Sequence, residues 1–410
     1  MSPITAIVLG AGNRGSVYTG YAVDHAEEFS VVAIADPRTE RLNALADKVG
    51  VSEENRFSDW QTLLSQPRMA DVAIICTQDD DHTAPAIRAL ELGYHVLLEK
   101  PMSNSEEDCR AIEAAARKYD RRLSICHVLR YTPFYMTLKA LIDKGEIGEV
   151  CAIDQIENVG YWHQAHSFVR GNWCNSEESS PMILAKSCHD MDIILWLVGR
   201  RCERVSSFGS LRHFNADNMP EGAPERCLDN CPHAETCPYY APKIYMDMTK
   251  TGWPIEVITT DFSEEGRLKA LREGPYGRCV YRCNNDVVDR QVVNMEFEGG
   301  AVATFTMIGL SADFSRQLKI FGTKGQIQAD MGTKEIILHR FGEQPRNIDL
   351  DMGGNFSGHG GGDYGLMADF LSVIRDGGES RTSAAISLQS HLMCFAAERS
   401  RVEHRVIELN

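Results

Sequence analysis

The sequence predicts two domains: a doubly wound parallel α/β domain over residues 1–126, and an α+β domain over 127–410 built on a mainly antiparallel sheet. Three observations predict them. Short, uniformly apolar runs alternate with amphipathic helical stretches in the first third of the chain, the pattern changes to longer alternating segments after about residue 126, and a GxGxxG follows the first apolar run.

The runs Ile4–Leu9, Val31–Ala35, Val72–Cys76, His95–Leu98 and Leu123–Cys126 have no polar face, as expected of parallel strands covered on both sides. Between them Ser16–Glu28, Thr39–Val49, Ala84–Leu92 and Ser105–Tyr119 carry helical spacing, and Ser103 and Ser105 offer capping oxygens to the last. Farther on, Val150–Val159, Val287–Glu298, Ala301–Ile308, Gln317–Gly322 and Glu335–Arg340 alternate as half-exposed antiparallel strands do, with a hairpin turn predicted at Phe297–Ala301. Helical patterns at Pro133–Lys144, Pro181–Val198, Tyr364–Asp376 and Ala384–Glu403 are expected to cover one face of that second sheet.

The 410 residues suffice for two or three cores at roughly 150 residues each. The 58 acidic against 42 basic residues give a formal charge of -16, which disfavours nucleic acid and anionic membrane surfaces as partners. Met1–Gly10 has no basic leader pattern, and no apolar run approaches the roughly 18 residues of a membrane span. Thirteen cysteines, an odd number and mostly scattered, argue against a secreted disulfide framework and for a reducing cytoplasm.

The glycine run reads Gly10-Ala-Gly12-Asn13-Arg14-Gly15 and opens a helix. Its first glycine permits a tight turn, its second lets backbone approach a pyrophosphate, and its third allows close helix–strand contact. Asp36 closes the second strand, where a carboxylate accepts from a ribose 2′-hydroxyl and repels a 2′-phosphate, so NAD is favoured over NADP; Arg38 nearby is the feature that would favour NADP.

Thr77-Gln78-Asp79-Asp-Asp-His82, followed by Glu99-Lys100-Pro101, resembles the Gfo/Idh/MocA oxidoreductases, and the Glu-Lys-Pro match is the specific one. Arg130-Tyr131 after the fifth strand, His189 and Asp192 heading a helix, and His359 to Asp363 before a late helix extend the resemblance over nearly the whole chain. It implies a Rossmann domain that binds a nicotinamide cofactor through the glycine run, Thr77, His82, Glu99 and Lys100, and a second domain whose large open sheet carries substrate and commonly pairs with another subunit. Members mostly oxidise or reduce a secondary alcohol of a sugar, sugar derivative or cyclitol, and some are glycosidases that use bound NAD transiently.

Hydride transfer from a carbinol needs an acceptor for the hydroxyl proton and a donor to the developing oxyanion. Lys100, at the carboxyl edge of the parallel sheet, and His189 are the candidates. Many family members have an aspartate four residues before this histidine, where this chain has Ala185. Either Lys100 and His189 act alone, or Lys186, on the same helix side as His189 and Asp192, supplies an extra cation; the latter suits the glycosidase alternative. Asp192 either orients His189 or is an ordinary exposed acid.

The segment from Tyr161 to Trp173 mixes aromatic and polar residues without clear periodicity. Tyr161, His166, Arg170 and Trp173, with Arg130 and Tyr131, are candidate substrate contacts, the alternative being a loop whose aromatics pack. The Ser357–Tyr364 stretch, carrying His359, is either a lid or an interdomain turn. Finally, Cys227, Cys231, Cys237, Cys279 and Cys283, with His233 among them, crowd an insertion over about 217–283. They offer enough soft ligands for a structural zinc, with reduced or redox-paired thiols as the alternative and a catalytic zinc disfavoured by their distance from Lys100 and His189.

Overall fold

The computed structural model describes residues 2–350 and 357–409. The first sheet holds β1 (Ile4–Leu9), β2 (Phe29–Ala35), β3 (Arg56–Phe57), β4 (Val72–Ile75), β5 (His95–Leu98) and β6 (Leu123–Ile125), all parallel in the order β3-β2-β1-β4-β5-β6. β1 and β4 are neighbours although the chain leaves β1 for β2, so a crevice opens at their carboxyl ends, where such sheets bind ligands. Helices Asn13–Asp24, Thr39–Val49, Thr83–Glu91 and Glu106–Lys118 follow the predicted runs, and Ser105 caps the last by accepting from Asp108 N at 3.4 Å.

The second sheet comprises β7 (Val150–Asn158), β8 (Cys202–Ser210), β9 (Arg290–Phe297), β10 (Val302–Ile308), β11 (Ser315–Gly322), β12 (Gly325–Asp330), β13 (Glu335–Arg340), β14 (Arg346–Asn347) and β15 (Ile407–Glu408). Their order is β14-β13-β12-β11-β7-β10-β9-β8-β15, antiparallel except where β10 runs parallel to β7. The predicted hairpin joins β9 to β10, with Gly299 at φ 79° and Gly300 at φ 84°, conformations that side chains resist.

Helix placement differs from the sequence expectation. Pro133–Asp143 and Cys188–Val198 pack on the second sheet through Leu138, Leu141, Ile193 and Leu197. Gly362–Asp376 does not: its Leu366, Met367, Phe370 and Leu371 join the first domain's core beside Tyr18 and Val31. Ala384–Glu403 serves both domains, placing Leu388 and Leu392 in one core and Met393, Cys394 and Ala397 in the other. A helix apolar on two sides belongs between two bodies rather than on the outside of one. None of the described helices is long and apolar enough to cross a membrane.

Candidate active site

The glycine run forms a turn that only glycines allow. Gly10 has φ 102°, and a Cβ there would lie 2.4 Å from the Cys76 carbonyl oxygen; a Cβ on Gly15 would lie 2.1 Å from the Gly10 oxygen. In front of Gly12 the nearest group is Arg41 Nη1, 3.9 Å from such a Cβ, so the outward side of the turn is open. The helix from Asn13 has no side-chain cap, which leaves its amides facing that opening. Asp36, at the end of β2, accepts from Ala11 N at 2.7 Å and Arg38 N at 2.8 Å, fixing the loop against the strand. Beside it, Arg38–Arg41 and Glu256–Thr260 line a pocket of about 540 Å³, and Asn13 Nδ2 donates to Glu256 Oε1 at 2.7 Å. The insertion thus walls the outer end of the dinucleotide crevice, a contact no local motif could reveal.

Several residues expected against the cofactor instead hold the crevice in shape. Glu99 is 4% exposed, and its Oε1 accepts from Arg14 Nε and from the Tyr18 hydroxyl, both at 2.6 Å, while Oε2 accepts from Lys100 N at 2.8 Å. Burial would raise its carboxyl, but Arg14 and Lys100 hold it below its ordinary value. Arg14 also pairs with Asp363 at 2.5 Å, which draws the late glycine-rich segment onto the first domain. His82 is buried, with Nδ1 2.7 Å from the Pro101 oxygen, and Thr77 donates to Asp81 O at 2.7 Å. Glu99 and His82 are therefore corrected from ligand contacts to supports of the Lys100 turn.

Lys100 Nζ donates to the carbonyl oxygen of Ala185 at 2.8 Å, crossing from the first domain to the second. The predicted helix Pro181–Val198 breaks there into Met182–Ala185 and Cys188–Val198, so His189 lies in a first turn close to that contact. His189 is 5% exposed, and its buried Nδ1 has no partner. Burial first, then Lys100 and His127, depress the His189 imidazole well below its ordinary range, so it is neutral at physiological pH. The rings of His127 and His359 stand 5.8 and 6.0 Å from it. His359 in turn meets Asp363 Oδ2 at 3.2 Å, linking this cluster to Arg14. Trp173 is placed by the interdomain contact of its Nε1 with Asp79 Oδ2 at 3.1 Å.

Other expected substrate contacts are corrected. Arg130 and Asp192 bind one another through two hydrogen bonds, at 2.6 and 2.7 Å, with 2% and 1% exposure, and Arg130 Nη1 takes the Arg381 oxygen. Tyr131 is buried and donates to Asp369 at 3.0 Å. His166 meets the Tyr245 hydroxyl at 2.9 Å and stacks on Tyr276, and Arg170 holds the Arg278 and Tyr239 carbonyls at 2.7 Å. Residues 164–170 form a buried π-helical segment, not a sugar-lining loop; their aromatic and polar groups pair with the insertion. Tyr161 remains at the surface with its ring edge on Tyr239.

Lys186 is no free cation: its Nζ lies 3.1 Å from Glu157 Oε1. Arg316 joins Glu157 and Asp190 at 2.5 and 2.8 Å. Burial would raise Glu157, yet Arg316 and Lys186 hold it at about 2; burial, with Glu157 beside it, lifts Asp190 to about 7 against Arg316. Sequence reasoning missed this group because its members are separated by up to 159 positions. The only signal was an acid at a core position of an alternating strand.

All thirteen cysteines are free. Cys227, Cys231, Cys237 and Cys279 line one small cavity with His233, whereas Cys283 lies off it, its thiol 3.4 Å from the Cys279 oxygen. Among the described residues no three of these sulfurs lie within 4.8 Å of one another. Ser357–Tyr364, predicted as a lid or an interdomain turn, begins with the short helix Ser357–Gly360 and is tied to the first domain by the Asp363–Arg14 pair.

A glycine-loop crevice facing a lysine and a neutral histidine, across two domains, defines a dinucleotide-dependent oxidoreductase. Residues 4–127 match the family described as "Oxidoreductase family, NAD-binding Rossmann fold", and residues 139–409 match "Oxidoreductase family, C-terminal alpha/beta domain". The chain belongs to the Gfo/Idh/MocA oxidoreductases and is an NAD-dependent enzyme of that family. It is 28% identical over 315 residues to the Bacillus subtilis protein named "Putative oxidoreductase YteT", covering 73% of this chain and 72% of that one. It is also 28% identical over 284 residues to scyllo-inositol 2-dehydrogenase (NAD(+)) of the same organism, covering 68% and 70%. A crystal structure of an oxidoreductase domain protein from Kribbella flavida shares the fold, with a TM-score of 0.75, 19% identity and complete coverage of both chains.

Proposed function

We propose that this protein oxidises a secondary alcohol of a sugar, sugar derivative or cyclitol, with Lys100 and His189 handling the hydroxyl. The observation that carries the reading is Lys100 Nζ at the carboxyl edge of the parallel sheet, anchored on Ala185 O and next to a histidine whose Nδ1 has no partner. The inositol dehydrogenase relative supports the substrate class. Gly10, Gly12, Gly15 and the amides of the helix from Asn13 would hold the pyrophosphate, and Asp36 the adenosine ribose, as befits NAD rather than NADP. Bound NAD supplies the hydride acceptor. Lys100 Nζ, entering as the free amine, would take the hydroxyl proton and leave as the ammonium, and a neutral His189 would donate a ring N–H to the oxygen as charge develops on it. Trp173 and the Arg14–Asp363–His359 chain keep the two domains and the late loop together around that oxygen.

The glycosidase alternative loses its sequence support, since Lys186 is already paired with Glu157. A row of apolar residues on the open sheet face, Phe208, Val292 and Ile156, supports pairing with a second copy, and thirteen unpaired cysteines suit reducing cytoplasm. Mass spectrometry of products from a cyclitol, sugar and glycoside panel tests the reading. Loss of two hydrogens with equimolar NADH is expected; glycoside cleavage without net NADH would overturn it.

A further inference from the structure

The four thiols around the insertion's cavity are brought there by backbone structure. An antiparallel bridge pairs Arg226 with Arg278, with Cys227 N donating to Gly277 O and Cys279 N to Glu225 O, both at 2.9 Å. Alternation along the bridge turns Cys227 and Cys279 to the same face. A tight turn, closed by Cys237 N on His233 O at 2.8 Å, brings Cys231 and Cys237 to the same cavity. That cavity measures about 20 Å³, room for one atom-sized occupant and too little for a multi-iron cluster.

An independent observation is electrostatic. Arg170 lines the cavity at 3% exposure, its Nη1 is buried without a hydrogen-bond partner, and no carboxylate pairs with it among the described residues. A buried cation without a counter-charge is costly. Its Nη2 lies 3.6 Å from Cys227 Sγ, which also accepts from Ala241 N at 3.4 Å. A buried cation and a main-chain amide thus converge on one sulfur of the cavity.

We propose that Cys227, Cys231, Cys237 and Cys279 bind one zinc ion as a structural four-thiolate site, with Arg170 offsetting part of its net negative charge. Zinc–sulfur bonds of about 2.3 Å would draw the sulfurs inward to about 3.8 Å from one another. The thiols release their protons on binding. His233 also lines the cavity, with Nε2 2.7 Å from Glu221 O, but the four thiols already complete a tetrahedral set, and Cys283 lies off the cavity. The ion would brace the same insertion that carries Glu256 to the dinucleotide crevice.

The test is elemental analysis of the full-length protein purified under reducing conditions and dialysed against zinc. About one zinc per chain is expected, retained in Cys283→Ser and reduced at least tenfold in Cys279→Ser and Cys237→Ser. Wild-type protein holding less than about a tenth of a zinc per chain, or Cys279→Ser and Cys237→Ser holding full zinc, overturns the proposal. Should those variants fail to fold, cobalt(II) loading of the wild type decides. Intense sulfur-to-cobalt charge-transfer bands with a tetrahedral visible spectrum support the site, and an octahedral spectrum without charge transfer contradicts it.

Discussion

Lys100 Nζ and the main-chain oxygen of Ala185 are 2.8 Å apart, so the side chain we propose to handle the proton belongs to one domain and is positioned by the backbone of the other. A carbonyl orients Nζ by accepting one N–H and forms no ion pair with it. Lys100→Ala should therefore lower kcat by about 10²- to 10⁴-fold, while NAD affinity stays near wild type and stability falls by only about 1 kcal/mol. Steady-state kinetics, NAD titration and thermal melting check all three.

Arg130 and Asp192 are structural partners. Arg130→Met leaves Asp192 buried and unpaired, and should destabilise the protein by about 3–5 kcal/mol with little change in KM of the folded fraction. Adding Asp192→Leu should recover much of that loss. A large rise in KM at unchanged stability would return Arg130 to the substrate.

Asp36→Ala should lower the preference for NAD over NADP by about 10- to 100-fold, the worth of one charge-assisted hydrogen bond. Paired titrations with the two cofactors read the ratio directly. An unchanged ratio would remove Asp36 from the ribose.

Asp363 gives a pH prediction. Burial would raise its carboxyl, but the His359 hydrogen bond and Arg14 hold it at about 2, below the ordinary 3.8. A depressed carboxylate adds stability that is complete above about pH 4 and is lost as pH falls toward 2, worth about 2 kcal/mol. The stability difference between wild type and Asp363→Asn, from urea unfolding, should accordingly shrink across that window.

The parts of this protein that were legible in the sequence are those encoded locally. β1, β2 and β4 stand out because a strand buried on both faces is apolar throughout, and the Gly10–Gly15 turn stands out because its close backbone contacts exclude a Cβ. β8 was missed because Cys202–Ser210 mixes small and polar residues, so its alternation is faint. The roles of Arg130, Arg170 and Lys186 were misread for a different reason. Each is a cation near an expected site, but its partner lies on another element: Asp192 at 62 positions, Tyr239 at 69, and Glu157 on β7. Sequence shows the charge without the distant group that occupies it. The helix Gly362–Asp376 was assigned to the wrong domain because its apolar stripe states that it packs, not against what.

The most direct measurement of the central claim is the appearance of NADH when wild-type protein and its Lys100→Ala variant are given NAD and a panel of inositols and sugars. The account predicts NADH accumulating with wild type on at least one polyol, and at least about a hundredfold slower with the variant. Equal rates in the two proteins, or no NADH from any polyol, would contradict it.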